Sequence, residues 1–336
     1  MQVLFFIKIC LFTVVSSYDS EFMYYAAPGK SPYFDKLSKS ENENLQQTCG
    51  ISSNKTAQLM IENGDYVTHG QIPWAASISA ANRIDLNTRC GAAIISPRHL
   101  LSATHCFFHY SVKQLPCKDP VLTADFNQLK VSFGGVCLRK DKKCKCKCRD
   151  VRTLKVRRLA ILRSFHSAEC QSGNDLAIIE LEHDIKFGND VQPVCLVDGP
   201  ILSPREKKKE TMKHVHSLQT VGWGMSNDQK FPARLRHFQA SYYYQQSFLD
   251  SDILQLSSDK NVHNGKRSGI CSGDSGGGTV GYDNRKNRSV LVGVHSYAES
   301  CQENKQEPSA FYAITFAGDH LQQICYITGV CTKGIN

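Results

Sequence analysis

Three short motifs carry the residue types of nucleophilic acyl chemistry. Gly273-Asp274-Ser275-Gly276-Gly277 sets a serine between glycines. A turn of that composition exposes the hydroxyl and leaves backbone N–H groups free for an anion, as the oxyanion of a tetrahedral intermediate requires. Gly273 and Ser275 would supply those two N–H donors. Taken alone, the motif is equally a Gly-rich hairpin turn. In Ser102-Ala103-Thr104-His105-Cys106 a histidine follows an apolar stretch and is pinned by an adjacent cysteine. In Asn174-Asp175-Leu176-Ala177-Ile178-Ile179 an aspartate opens an apolar run. By itself such an aspartate is a polar turn residue; placed behind a histidine, it fixes the tautomer and stabilises the imidazolium. Serine is a weak nucleophile alone, so the chemistry needs all three roles together.

The elements that must position these residues read as strands. Short apolar runs at residues 75–78, 91–95, 129–133, 176–181, 220–223 and 289–294 are separated by turn residues. Their length and their content of Val and Ile suit an all-β domain built as a barrel or a sandwich. Only residues 315–327 have a helical pattern. Residues 18–60 are polar and irregular, and 38–47 (SKSENENLQQ) read as loop with at most a helical turn. Residues 202–216 read as a second polar, Lys-rich loop. There is no internal repeat.

The chain has 336 residues, 41% hydrophobic and 21% charged, with a formal net charge of +9. Such a balance speaks for a globular core and a basic surface, and says nothing of the fold. Residues 1–17 read as a secretory signal peptide: an apolar run over 3–15, then Ser16 and Ser17, with cleavage before Tyr18. The run is too short to span a bilayer comfortably, and no other stretch is apolar enough to do so. Of the 15 cysteines, Cys10 leaves with the leader, so 14 remain, an even set that suits a disulfide-bonded extracellular protein. Asn54 and Asn287 begin glycosylation sequons.

The order His105, Asp175, Ser275 in these contexts resembles the chymotrypsin/trypsin family of serine peptidases over residues 61–327. The resemblance implies two six-stranded antiparallel β-barrels with a C-terminal helix, and a secreted endopeptidase, a monomer, acting on protein or peptide substrates. It implies no cofactor, no metal and no nucleic-acid partner. Its domains would be a leader at 1–17, a propeptide or extension at 18–60 and a peptidase domain at 61–336. Ile61-Glu62-Asn63-Gly64 looks like the start of the mature enzyme, whose new ammonium would pair with Asp274 as a zymogen switch. Cys90 and Cys106 resemble the bridge behind the histidine, Cys271 and Cys301 that of the primary pocket, and Cys49 and Cys195 the propeptide tether. Ser296 matches the serine that bonds the triad aspartate and meets substrate backbone, and Gly222-Trp223-Gly224 resembles a strand of the second barrel.

The chain also departs from that family. Met60, not Arg or Lys, precedes Ile61. The pocket positions are Gly269, Ala298 and Ser309, so no carboxylate stands ready for a Lys or Arg side chain. An uncharged pocket suits apolar side chains, Met60 among them, which makes self-activation a reading to test. Gly278 stands in place of a proline and Tyr297 in place of a tryptophan. The segment between His105 and Asp175 is longer than usual and holds a basic stretch that begins at Arg139 and ends at Arg158. One reading makes it a solvated loop stapled by its own disulfides; another makes it an exosite for a polyanion or acidic protein. Zinc at Cys144, Cys146 and Cys148 lacks the usual ligand spacing, and Gly134-Gly135 opens a loop without carboxylates for calcium. Pairing among Cys117, Cys137, Cys144, Cys146, Cys148, Cys170, Cys325 and Cys331 stays open. The alternative function is a non-catalytic homologue that binds or regulates.

Overall fold

In a computed structural model of the chain, the described residues are 21–53, 66–80, 90–109, 121–122, 128–138, 151–167, 170, 173–199, 202–225, 233–243, 250–258, 269–298 and 311–335. Among the described residues there are sixteen strands in two large sheets and one short ribbon, and each of the six runs read from sequence lies in or overlaps one of them. The first sheet contains β1 (Phe22–Ala26), β2 (Ala75–Ala80), β3 (Cys90–Ile94) and β4 (His99–Ser102). The ribbon of β5 (Phe108–His109) and β6 (Val121–Leu122) follows, and then β7 (Leu129–Phe133), β8 (Arg152–Leu162) and β9 (Ala177–Leu181) return to the sheet. The second sheet contains β10 (Cys195–Leu196), β11 (Val215–Gly222), β12 (Arg236–Tyr242), β13 (Ile253–Ser258), β14 (Gly278–Asp283), β15 (Arg288–Ala298) and β16 (Phe311–Phe316).

Each sheet closes on itself. In the first, the order β8-β7-β2-β3-β4-β9 is sealed by antiparallel pairing of β9 with β8. In the second, β15-β14-β11-β12-β13-β16 is sealed by β16 on β15. The expectation of two six-stranded antiparallel barrels is met; closure removes the exposed edges that open sheets must otherwise protect. Each barrel carries one further strand. In the second it is β10, parallel to β15. In the first it is β1, which pairs with residues 158–162 of β8, beyond the point where β7 stops at Lys155.

Three expectations about local structure need correction. Residues 38–47 are not loop: α1 (Lys39–Thr48) is a helix with a capping box, in which the Ser38 hydroxyl and the Glu41 side chain each accept the other's backbone N–H. The Lys-rich segment 202–216 is likewise mostly helix. After the short α2 (Arg163–Ser167), α3 (Pro204–His214) starts at a Ser203/Glu206 capping box with proline in its first turn. The C-terminal helix is shorter than the pattern predicted. Thr315 belongs to β16, paired with Ile253 and Val294, so α4 (Leu321–Thr328) begins only after a 3₁₀ turn at Ala317–His320 and ends at Gly329, φ 72°. No described helix is long and apolar enough to cross a membrane.

The N-terminal segment is built into both barrels. Besides β1, the Asp35 N–H donates to Glu180 Oε2 (2.7 Å) and the Leu37 N–H to Thr328 O (2.8 Å). Glu180, fully buried on β9, pairs with Arg158, also buried, whose Nε donates to Ser31 O (2.7 Å). Arg98 bridges Glu41 (2.8 Å) and Asp184 (2.8 Å). Cys49 is disulfide-bonded to Cys195, and beside it Gly50 donates to Pro193 O (2.8 Å) and accepts from Ser289 N–H (3.1 Å). Of the cysteine pairings left open by sequence, the structure joins Cys325 to Cys331 and places Cys137 and Cys170 in disulfides.

The arginines at the end of the predicted basic stretch lie on β8 and are committed internally: Arg152 to Asp190, Arg157 to Asp35, Arg158 to Glu180. Residues 139–150 lie outside the described residues, as do Cys117, Cys144, Cys146 and Cys148.

Candidate active site

His105 and Asp175 come together because their strands are neighbours. β4 pairs with β9 at Ser102↔Ala177. His105 sits in a 3₁₀ turn (Thr104–Cys106), three residues past the end of β4, and Asp175 lies two residues before β9. Thr104 Oγ1 donates to Leu176 O (2.8 Å), and the Cys90–Cys106 disulfide anchors the far side of the turn. His105 Nδ1 donates to Asp175 Oδ2 (2.7 Å) and the His105 N–H to Oδ1 (3.0 Å). Ser296 Oγ, reaching in from β15, donates to the same Oδ2 (2.6 Å). A carboxylate only accepts, so Nδ1 carries the proton and Nε2 is left as a base. Burial opposes charge on both groups, yet the pair's mutual attraction and hydrogen bonds win: His105 is held above the usual imidazole range, and Asp175 below the usual carboxylate range.

The link ahead of Asp175 is gripped from barrel two. Asn174 has a left-handed backbone (φ 58°), and its N–H reaches both carboxylate oxygens of Asp252 (2.9 and 3.0 Å). Asp252 Oδ2 also accepts from His320 Nε2 (2.7 Å). Nothing in the sequence around Asp252 or His320 marks either residue as part of the site.

Ser275 sits on a turn whose glycines are required by backbone contacts. Gly273 and Gly276 have φ of 95° and 74°. A methyl on Gly276 would lie 2.2 Å from Ser102 Oγ, and one on Gly91 would lie 2.6 Å from Gly277 Cα. The barrels thus meet backbone to backbone, and Gly91 N–H donates to Ser275 O (2.7 Å). Gly91 follows Cys90, whose disulfide holds the His105 turn, so one bridge ties the histidine to the strand that holds the serine. The Cys90 and Cys106 sulfurs lie within 4.8 Å of a His105 ring nitrogen, but they are spent on each other and offer no thiolate to a metal.

The Asp274 side chain turns inward. Its Oδ1 accepts from Gly224 N–H (2.7 Å) and its Oδ2 from Cys271 N–H (3.0 Å). A methyl on Gly222 would fall 1.8 Å from Oδ1, and one on Gly224 would fall 2.3 Å from Cγ. Gly222-Trp223-Gly224 is therefore the slot for this carboxyl, a use its resemblance to a strand did not specify. Burial pushes Asp274 up to about 6, outweighing the opposite pull of its two N–H donors and of Arg236.

The remaining candidates are partly placed. Gly269 and Ala298 are described, and Ala298 is paired with Tyr312 on β16. Tyr297 is 45% exposed. Asn287 is exposed, in the turn between β14 and β15. Cys271 is disulfide-bonded. Ile61, Met60, Ser309, Cys301 and Asn54 lie outside the described residues.

The family model described as Trypsin matches residues 61–317. A trypsin-like protease of Caenorhabditis elegans, try-5, is 26% identical over 288 residues, covering 76% of this chain and 83% of its own length. Mannan-binding lectin serine protease 1 of Mus musculus is 27% identical over 299 residues, 84% of this chain. Transmembrane protease serine 11B of Homo sapiens is 26% identical over 297 residues, 83% of this chain. The chain spans 37% of the mouse protein and 60% of the human one.

Proposed function

The chain belongs to the trypsin family of serine proteases, and from that premise we propose that it is a secreted endopeptidase acting through Ser275, His105 and Asp175. The observation that carries the reading is the His105–Asp175 pair, which presents a basic Nε2 one disulfide away from the Ser275 turn. In this mechanism Ser275 Oγ attacks the substrate carbonyl while His105 Nε2 takes its proton. The N–H groups of Gly273 and Ser275 receive the oxyanion, His105 returns the proton to the leaving amine, and water repeats the sequence on the acyl-enzyme. Asp175 stays ionised, holding the imidazole in the useful tautomer. Ser296 holds Asp175 and meets substrate backbone.

Activation follows from Asp274. Its slot supplies N–H donors but no ion-pair partner among the described residues, which favours the neutral acid. Cleavage after Met60 would create an α-ammonium at Ile61 to pair with it and set the turn. Residues 18–60 then act as a propeptide that stays attached through Cys49–Cys195. Gly269, Ala298 and Ser309 make an uncharged primary pocket, selective for apolar rather than Lys or Arg side chains. Disulfides support the extracellular compartment and Asn287 is exposed for glycosylation.

The test is labelling by a fluorophosphonate. Protein with Ile61 as a free N-terminus should label at Ser275, and Ser275→Ala should not. A folded, correctly cut sample that fails to label marks a binding homologue instead of an enzyme. Expression of Ser275→Ala followed by N-terminal sequencing tests self-activation: appearance of Ile61 in that variant means another protease makes the cut.

A further inference from the structure

β15 buries a histidine at the end of an aliphatic run. His295, fully buried, follows Val290, Leu291, Val292, Gly293 and Val294. Its Nδ1 lies 2.9 Å from the Asp274 carbonyl oxygen, and its Nε2 lies 3.0 Å from Thr279 Oγ1 on β14. Thr279 Oγ1 is 2.9 Å from Thr220 Oγ1 on β11, which is 2.6 Å from Tyr312 Oη on β16. All four side chains are at most 2% exposed. The chain of bonds has one consistent polarity. A carbonyl only accepts, so Nδ1 must hold a proton. Burial pushes His295 down to about 4, so the ring is neutral and Nε2 accepts. Thr279 then donates to His295, Thr220 to Thr279, and Tyr312 to Thr220. Hydrogen bonds ordered in this way through a buried core reinforce one another.

The target of this chain matters more than its length. The Asp274 carbonyl and the Ser275 N–H belong to one planar peptide unit and point in opposite directions. The carbonyl oxygen is held by Gly277 N–H (2.9 Å) as well as by His295 Nδ1–H. The backbone of His295 grips the same turn, its carbonyl accepting from Gly276 N–H and its N–H donating to Gly277 O, both at 2.8 Å. Two donors on one end of a rigid unit aim the other end, and that other end is the Ser275 N–H.

We propose that His295 is a positioning residue: through Nδ1–H it fixes the Asp274–Ser275 peptide plane and so aims the Ser275 N–H at the oxyanion. This rests on the reading of the chain as a serine peptidase. It also separates two supports of one residue, the Asp274 carboxyl in its glycine slot and the Asp274 carbonyl on β15. The second is in place in the uncut chain.

Two measurements decide it. On cut protein, His295→Leu removes the donor and His295→Asn returns an amide N–H near the Nδ1 position. Losing an oxyanion donor outright costs about 10²–10³ in kcat, so mis-aiming one should cost roughly ten- to hundredfold, with KM within about twofold. His295→Asn should regain most of that loss, and Thr279→Val, a second variant should His295→Leu not fold, should cost several-fold. A folded His295→Leu with wild-type kcat, or equal losses in Leu and Asn, overturns the proposal. The second measurement needs no activity. In uncut Ser275→Ala, nitrogen-edited NMR should find the His295 proton on Nδ1, and adding His295→Leu should speed amide exchange at residue 275 about tenfold or more. A proton on Nε2, or unchanged exchange, overturns the proposal on its own. Absent fluorophosphonate labelling of the wild type would overturn the peptidase reading, while the NMR result would still decide the role of His295.

Discussion

Asp175, bonded to His105, and Asp274, the neighbour of Ser275 in the chain, are both buried carboxyl groups, and the structure treats them oppositely. Asp175 receives two bonds from His105 and one from Ser296, and is held below the ordinary carboxylate range. Asp274 receives two backbone N–H bonds and is pushed up to about 6. Donors are present in both places, so hydrogen bonding alone does not separate them. The counter-charge does: a protonated His105 can bond Asp175 directly, whereas Asp274 feels Arg236 but has no ion-pair partner among the described residues. The histidine half of the site thus holds its carboxyl ionised, whereas the serine half holds its carboxyl against ionisation.

That contrast can be tested from its largest effect downward. Ser275→Ala should lower kcat about 10⁶-fold, and Asp175→Asn about 10⁴-fold, because an amide stabilises the wrong imidazole tautomer; steady-state hydrolysis of a peptide substrate measures both. Equal retention of activity in either would break the assignment of the site. The pH profile of kcat/KM comes next. His105 is raised in the fold, so the acid limb should have its midpoint above about 6.5, the ordinary imidazole value. Asp175→Asn should move that midpoint down.

Stability should respond to pH in opposite senses at the two carboxyls. Asp175, lowered by folding, contributes stability above the ordinary carboxylate pKa and loses it as pH falls through its folded value. Asp274, raised from 3.8 to about 6, does the reverse. Its neutral form is favoured in the fold, so uncut protein should lose about 3 kcal/mol as pH rises from 4 through 6 and beyond. Asp274→Asn should flatten that slope in urea titrations of uncut protein, and cutting after Met60 should flatten it too. Gly224→Ala should cost about 1–3 kcal/mol and much of the activity, since its methyl enters the Asp274 slot while His105 is untouched. Removing the Cys325–Cys331 bridge, which closes a short loop and touches neither carboxyl, should lower stability by about 2 kcal/mol and leave kcat alone. A loss of turnover there would blur the comparison.

The three motifs were legible because their demands are local. A glycine at positive φ on either side of Ser275, a histidine one residue before its anchoring cysteine, and an aspartate at the mouth of an apolar strand are all written within a few residues. The strand runs were legible for the same reason, since alternation such as that of Leu129, Val131 and Phe133 needs only a half-buried pleat. The capping boxes of α1 and α3 were equally local; the high polarity of both segments masked them. Other features join residues far apart in the chain: Asp35 to Glu180, Asp252 to Asn174, and His295 with Thr220 to the Asp274 carbonyl. No window of sequence contains both members of those pairs. Sequence alone therefore determined which residues could do the chemistry and the class of fold that would gather them. Tertiary structure decided how each is held, because a buried polar group's charge and orientation depend on the donors that packing brings to it.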